Sequence, residues 1–279
     1  MILSTLDKSR KGGAYEQIPS LVLGQRWTPQ LNSRNMMKVV LCVWIEPYIE
    51  NDLSFCVWPV HTPTTSKEVL TLSASTSPLP YTGNKSCIVN TILSVMPKHT
   101  VYIDPCMGSA EVFFRKPRAE KEILNDYNGD LVNLFRVIQN NEKLAYLLGR
   151  LYLSINGELA FKQNKDRLKG VPNILDDVIE TSQIFYDASW EDIQNAAAFL
   201  ENQVYSFSST GQTFGIARRD MSQRLPRLMS AYNRIRDAII LHRDYKDVIT
   251  YAACPGSFIL LDPPYKGTED MYSKANFDI

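Results

Sequence analysis

The stretch SFILLD (residues 257–262) constrains the fold of this chain most strongly. Four apolar residues follow one another there, without the polar alternation of a strand that has one face in water. Such a run is typical of a strand covered on both faces, as in the parallel sheets of α/β proteins. We therefore predict an α/β fold in which helices cover the sheet.

Two further segments fit the same architecture. TVYID (residues 100–104) is a short β-branched run that stops at Pro105, and helical composition resumes in GSAEVFFRK. EILND (residues 122–126) precedes GDLVNLFRVIQ, whose apolar side chains recur at helical spacing. These units of strand, turn and helix predict a doubly wound sheet.

Residues 141–243 differ from this pattern. They show helical periodicity and no convincing strand alternation, up to the helix predicted in MSQRLPRLMSAYNRIRDAII. Residues 244–279 then return to the α/β pattern with SFILLD. We expect a mostly helical segment inserted into an α/β sheet, with residues 78–140 forming the first part of the sheet.

Residues 1–77 have little regular pattern. MKVVLCVWIEPYI has the Val, Ile and Trp content of one strand, and TPTTSKEVLTLSASTSP has the composition of a linker. We expect a linker-like N-terminal extension, with an appended structured piece as the alternative.

Composition excludes little. The chain carries 30 basic and 30 acidic side chains, so its net charge gives no sign of a nucleic-acid partner. Its five cysteines lack metal-ligand spacing, and no apolar run approaches the roughly 18 residues of a membrane span. We expect a cytoplasmic protein without metal, in which Cys87, Cys106 and Cys254 are buried or half-buried thiols with no nucleophilic role.

Polar residues follow the predicted strands. Ligands of open α/β sheets bind beyond the carboxyl ends of the strands, where DPCMGS (residues 104–109) and Asp126 are expected. Gly108 allows close backbone approach to a ligand, and Asp126 stands at the spacing of an acid that binds ribose hydroxyls. The alternatives are an ordinary tight turn for DPCMGS and a helix N-cap for Asp126.

LLDPPY (residues 260–265) has the residues of an amine-binding site. Asp262 and the Pro263 carbonyl can accept the two hydrogens of an exocyclic amine, and Tyr265 can stack on the ring that bears it. A strand-ending turn is the alternative. PLPYTGNKS (residues 78–86) offers Tyr81 for stacking and Lys85 for a cofactor carboxylate, or it is a surface loop with a solvated lysine.

These motifs, in their order along the chain, resemble the Dam-like adenine-specific DNA methyltransferases, particularly those of phages and prophages. The resemblance rests on PLPYTGNKS, YIDPCMGSAEVFF, ILNDYNGDLVNLF, YSFSSTGQTFG, DYKDVI and LLDPPYKGTEDMY. It implies a Rossmann-like S-adenosylmethionine domain with an inserted target-recognition domain. It implies double-stranded DNA as the partner and leaves a restriction endonuclease open as another.

The resemblance also implies roles for individual residues. The residues that it places in the catalytic motif are Asp262, Pro263, Pro264 and Tyr265. Those that it places on the cofactor are Tyr81, Lys85, Asp104, Pro105, Cys106, Gly108, Ser109, Asp126 and Asp262. An inactive or incomplete relative that only binds cofactor or DNA is the alternative. RNA or protein-amide methylation fits less well, because the resemblance extends to the recognition domain. Dinucleotide oxidoreduction fits less well, because DPCMGS lacks the full glycine fingerprint.

A local excess of positive charge supports DNA binding. Residues 205–246 contain three acidic side chains and eight basic ones, namely Arg218, Arg219, Arg224, Arg227, Arg234, Arg236, Arg243 and Lys246. A solvated polar helix face is the alternative for Arg224, Arg227 and Arg234, which share one side at helical spacing. Residues 206–216 resemble the recognition loop of the family.

Two features depart from the family pattern. Ala110 stands where many members have glycine. Members continue beyond the catalytic loop with a helix and further strands, and from this we expect residues 257–262 to form a bare apolar sheet edge.

Overall fold

The computed structural model describes residues 76–176, 188–217 and 219–263, and the backbone of two earlier strands. The strands are β1 (Leu41–Ile45), β2 (Phe55–Pro59), β3 (Val101–Asp104), β4 (Lys121–Asn125), β5 (Ile239–Leu241) and β6 (Ser257–Leu261). The helices are α1 (Val89–Val95), α2 (Glu111–Arg115), α3 (Gly129–Gln139), α4 (Asn141–Tyr152), α5 (Glu158–Lys169), α6 (Trp190–Tyr205), α7 (Leu225–Ile235) and α8 (Tyr245–Ala252).

The described strands form one sheet in the order β2, β1, β6, β3, β4, β5. Strands β6, β3, β4 and β5 run parallel to one another, as the apolar runs at β3, β4 and β6 predict. Strands β3, β4 and β6 were expected at these places in the sequence, and the structure confirms them. The α/β class is therefore confirmed.

The parallel strands are buried on both faces. Phe258 and Tyr102 point into the larger apolar core, and their ring planes lie 14° apart with centroids separated by 6.2 Å. Ile259 and Ile103 alternate with them and point to the opposite face, where Val248 of α8 covers them. Fully burying each such side chain stabilises the fold by roughly 1.5 to 3 kcal/mol.

One strand lies inside the segment that was expected to hold only helices. Strand β5 pairs in parallel with β4, with Leu124 opposite Ile240. A strand of three residues is too short to show alternation, and it follows almost directly on α7. The helices before it share the larger core with the sheet layer, where Phe199 of α6 and Phe135 of α3 are both buried. A separate recognition domain at residues 141–243 stays a prediction.

The expectation of a bare edge at residues 257–262 is wrong. Strand β6 pairs with β3 on one side and with β1 on the other, antiparallel, with Val43 opposite Ile259. The strand predicted in MKVVLCVWIEPYI is therefore confirmed, and β2, which was not predicted, extends the sheet beyond it. Sheet pairing between segments this distant in sequence leaves no local signal.

Two other features concern the surface. Among the residues that the structure describes, no helix is long and apolar enough to cross a membrane.

Cys87 and Cys254 are exposed, so the expectation that they are buried or half-buried is wrong. Cys87 lies in the turn before α1, and Cys254 lies in the turn before β6 with its Sγ 3.3 Å from Ser257 Oγ. Turns of this kind run over the surface of a protein.

Candidate active site

The carboxyl ends of β3, β4 and β6 open on one cleft of about 780 Å³, a volume that includes its open side. The predicted cofactor residues that line it are Tyr81, Lys85, Asp104, Cys106, Gly108, Ser109, Asp126 and Asp262. Pro105 does not line the cleft. Its carbonyl accepts a hydrogen bond of 2.8 Å from Asn125 Nδ2, which attaches the turn to β4. Segments far apart in sequence thus meet at the sheet edge where ligands of α/β proteins bind.

The turn between β3 and α2 needs left-handed backbone at two residues. Gly108 has φ +48°, and an added Cβ would lie 3.7 Å from the Tyr81 ring, which is ordinary contact. Glycine is therefore favoured there by backbone conformation rather than by lack of space. Ala110 has φ 54° as the N-cap residue of α2. The turn geometry is kept despite the missing glycine, at a cost of about 1 to 2 kcal/mol.

Asp126 joins this turn to the end of β4. Its Oδ2 accepts a hydrogen bond of 3.0 Å from the Gly108 amide, and its Oδ1 accepts one of 2.9 Å from the Asn128 amide. The N-cap of α3 is Asn128, whose side chain accepts from the Asp130 amide, so the helix-cap alternative for Asp126 is wrong. Burial raises the pKa of Asp126 to about 6, against the effect of these amide hydrogen bonds.

Asp104 is a buried acid at the end of β3, with 2% of its surface exposed. Burial raises its pKa to about 8, and the hydrogen bond from the Tyr102 hydroxyl, at 3.0 Å, acts in the opposite direction. The charges of Asp262 and Asp126 raise this pKa further, whereas Lys85 lowers it. The raised pKa favours the neutral form of Asp104, and a cation bound in the cleft would favour its charged form.

Lys85 forms an ion pair with Asp262, which follows β6 directly. The Lys85 ammonium also donates to the Gly83 carbonyl at 2.8 Å, and only 9% of the residue is exposed. The alternative of a solvated surface lysine is therefore wrong. This pair fixes residues 81–85 against the end of the strand that carries Asp262. It was not predicted, because it depends on tertiary contact alone.

The remaining predicted residues fall into two groups. Cys106 is a partly exposed thiol in the cleft, and burial of its sulfur raises its pKa well above the usual value, so it is a poor nucleophile. Pro263 follows Asp262 in the described part of the chain, whereas Pro264 and Tyr265 lie outside the described residues. The predicted stacking by Tyr265 stays a prediction.

The carboxyl groups of the cleft favour a ligand with positively charged and hydrogen-bond-donating groups. Asp104, Asp126 and Asp262 line it, and Lys85 is the one basic side chain among its described lining residues. The Glu111 carboxylate is already engaged, since it accepts from Arg115 and from the Ser77 amide. The cleft has the size of a small-molecule cofactor site, and its acids suit ammonium and hydroxyl groups.

The structure divides the predicted basic surface. Arg234 points inward, because its guanidinium donates to Glu122 at 2.8 Å and lies 3.7 Å from the Phe113 ring centre. The expectation that Arg234 belongs to an exposed face, whether phosphate-binding or solvated, is therefore wrong. Arg236 pairs with Asp237, and Arg243 donates to the Asp176 carbonyl at 2.6 Å.

Arg219 likewise donates to a backbone carbonyl, that of Val204, at 2.6 Å. Arg224 and Arg227 have no ion pair among the described residues. Burial lowers the pKa of the Arg224 guanidinium, and the nearby charges of Arg227 and Arg219 lower it further. Lys246 is exposed, and Arg218 lies outside the described residues. A concentration of like charge such as this one is stabilised when an anion binds.

The loop that resembles the recognition loop lies beside the cleft. A bridge between Ser206 and Phe214 closes it, and the Phe207 amide donates to the Thr213 carbonyl at 2.7 Å. The Thr82 hydroxyl donates to the Ser209 carbonyl at 3.3 Å. The loop thus touches the same segment that carries Tyr81 and Lys85.

Two comparisons bear on what this cleft does. A sequence profile of the D12 class N6 adenine-specific DNA methyltransferases matches residues 81–278. The chain is also similar to the Type II methyltransferase M1.LlaDCHI of Lactococcus lactis subsp. cremoris, with 23% identity over 192 residues. That similarity covers 66% of this chain and 64% of the relative, so the chain spans less than two thirds of the relative's length.

Proposed function

Because the chain belongs to the D12 class N6 adenine-specific DNA methyltransferases, we propose that it methylates the exocyclic amino group of adenine in duplex DNA, with S-adenosylmethionine as the donor. The observation that carries this proposal is the position of Asp262. It stands at the end of β6, paired with Lys85, in the cleft that also contains Asp104 and Asp126. An acceptor for the substrate amine thus lies beside a site for a positively charged cofactor.

The residues of the cleft fit S-adenosylmethionine. When bound, that cofactor supplies a methyl group on a positively charged sulfur. Asp126 would accept from its ribose hydroxyls, and the turn of residues 104–109 would hold its methionine part, with Asp104 as an acceptor for the ammonium group. The excess of carboxyl groups over ammonium groups in the cleft supports this assignment.

Asp262 and Pro263 would orient the target amine. The Asp262 carboxylate and the Pro263 carbonyl accept its two hydrogens, which directs the nitrogen lone pair away from the adenine ring. In the transfer, the bond from the methyl carbon to nitrogen would form as its bond to the donor sulfur breaks, and the proton lost by nitrogen would pass to the Asp262 carboxylate or to water. Lys85 holds the Asp262 carboxylate in place through the ion pair, so the acceptor is already fixed when the amine arrives.

The target adenine is stacked inside the duplex and has to be flipped out to reach this cleft, at a cost of a few kcal/mol. Tyr265 is the residue proposed to stack on the flipped base. The relative is a Type II methyltransferase, which supports the further proposal of a restriction endonuclease with the same specificity as a partner in the cytoplasm.

Asp126→Asn is expected to weaken S-adenosylmethionine binding by about 10- to 150-fold. The change keeps an oxygen for the Asn128 amide and gives up the acceptor of the Gly108 amide. It also removes one charge-assisted hydrogen bond to the ribose, worth about 1.5 to 3 kcal/mol. Titration calorimetry measures the dissociation constant. Asp220→Asn is the matched control, because Asp220 accepts from the amide two residues ahead in the same way, at 2.9 Å, on the exposed surface. Unchanged affinity in Asp126→Asn would contradict the ribose assignment.

Arg219, Arg224 and Arg227 are proposed to contact DNA phosphates. Replacing Arg224 and Arg227 together by Gln is expected to weaken duplex binding and to reduce the slope of log affinity against log salt by about 2, or about 1 per phosphate contact. Fluorescence anisotropy over a salt series measures that slope. Arg236→Gln is the control, because Arg236 is exposed but paired with Asp237. An equal change of slope in the control and the double variant would argue against a specific phosphate site.

The proposed function is tested by supplying the full chain with labelled S-adenosylmethionine and, separately, methylation-free duplex DNA, RNA and protein. Label is expected in DNA alone. Cofactor binding without label in any of these would favour the alternative, a relative that binds cofactor or DNA without transferring the methyl group.

A further inference from the structure

Two contacts join the cofactor side of the cleft to the helical segment and its loop. The Tyr81 ring lies 6.5 Å, centroid to centroid, from the Phe199 ring of α6. The next residue, Thr82, donates its hydroxyl to the Ser209 carbonyl at 3.3 Å. Helix α6 ends at Tyr205 and leads directly into the loop that contains Ser209. Residues 81–85 therefore touch both the helix and the loop that follows it.

The loop is strained where Thr82 contacts it. Ser208 and Ser209 have φ values of 52° and 56°, in the left-handed region that residues other than glycine seldom adopt. A residue in this conformation persists only where its surroundings hold it there. Within the loop, the Gly211 amide donates to Ser206 Oγ at 2.9 Å. Two hydrogen bonds reach the loop from outside. The Lys165 ammonium donates to the Gln212 carbonyl at 2.7 Å, and the Thr82 hydroxyl donates to the carbonyl of Ser209, one of the two strained residues.

The other side of the same segment faces the cleft. The Tyr81 ring lies against Gly108, and Lys85 pairs with Asp262. A molecule bound in the cleft would contact residues 81–85 and restrict their motion. Because Thr82 directly follows Tyr81 in the chain, a ligand that limits the motion of Tyr81 would also limit that of Thr82. The Thr82 hydroxyl would then hold the Ser209 carbonyl more firmly in place.

From this arrangement we propose that Thr82 is a positioning residue, through which an occupied cofactor cleft fixes the loop of residues 206–214 for DNA binding. The inference rests on the proposed function and adds to it a coupling between cofactor and DNA. Such coupling is reciprocal, so DNA tightens cofactor binding by the factor by which cofactor tightens DNA binding.

The test compares the wild type with Thr82→Val, which keeps the shape of the side chain and removes the hydroxyl. Fluorescence anisotropy gives the dissociation constant of a duplex carrying the site that the wild type methylates, without and with saturating S-adenosylhomocysteine. Since the second measurement is made at saturation, any change in cofactor affinity does not enter the ratio. We expect a ratio of about fivefold or more in the wild type and a ratio near one in Thr82→Val.

Two variants serve as controls. Thr82→Ser keeps the hydroxyl and is expected to keep the ratio. Thr250→Val removes the same kind of bond, from a Thr hydroxyl to the Lys246 carbonyl at 2.8 Å, in α8. It is expected to leave the ratio unchanged.

Three results would overturn the inference: a wild-type ratio of one, an undiminished ratio in Thr82→Val, or an equal loss of DNA affinity with and without S-adenosylhomocysteine. The last would show that Thr82 only stabilises the loop. A wild type that binds neither S-adenosylhomocysteine nor duplex DNA would overturn the proposed function as well. Coupling that survives in Thr82→Val leaves the proposed function intact.

Discussion

Asp262→Asn is expected to lower the rate of methyl transfer by about two to three orders of magnitude, while the chain stays folded. The change removes the charged acceptor that orients the amine, and the loss of one group fixed to stabilise a transition state typically has an effect of this size. Asp262 lies beyond the end of β6, and its side chain is 19% exposed, so the amide is accommodated without disturbing the core.

Single-turnover transfer from labelled S-adenosylmethionine to methylation-free DNA measures this loss. Asp247→Asn is the control, because it neutralises an exposed aspartate of α8 and is expected to leave the rate unchanged. Near-normal turnover in Asp262→Asn would show that the amine is oriented by other groups.

Glu122→Ala is expected to lower the free energy of unfolding by about 3 to 5 kcal/mol. Glu122 lies in β4, where its carboxylate accepts from Lys116 Nζ at 2.6 Å and from Arg234 of α7 at 2.8 Å. The side chains of Lys116 and Arg234 are 0% and 9% exposed, so removing the carboxylate leaves two buried cations without their anion. This cluster also ties α7 to the sheet.

Urea unfolding measures this destabilisation. Glu158→Ala is the control, because its ion pair with Lys162 is exposed and water screens such a pair, so its loss changes stability little. Burial alone would raise the pKa of Glu122, but hydrogen bonds from Arg234 and Lys116 hold that pKa below its ordinary value. The stabilisation is therefore present above the unfolded pKa and is lost as the pH falls through the folded one. A loss below 1 kcal/mol at neutral pH would contradict this account of the cluster.

The elements with local signals were predictable. Strands β3, β4 and β6 are apolar runs that end at turn residues, and α3 has a clear helical period. The acids at the strand ends converge because the carboxyl ends of parallel strands meet at one edge of a sheet. Asp104, Asp126 and Asp262 could therefore be placed together from the sequence alone.

The features that the sequence did not reveal depend on contacts between distant segments. The antiparallel pairing of β1 with β6 and the ion pair of Lys85 with Asp262 are of this kind. The helical period placed Arg234 on one side of α7, but it could not show that this side packs against the sheet, where Arg234 pairs with Glu122 of β4. The alternative that made Asp126 the cap of α3 could have been rejected locally, because Asn128 directly precedes the helix and is the better-placed cap.

We propose that this cleft places a methyl group on the amino nitrogen of adenine in duplex DNA. The most direct test is mass spectrometry of the nucleosides from methylation-free duplex DNA, after incubation with the full chain and S-adenosylmethionine. The account predicts N6-methyldeoxyadenosine with the wild type and none above background with Asp262→Asn. Methylated cytosine, or no methylated nucleoside from a folded wild type that binds the cofactor, would contradict it.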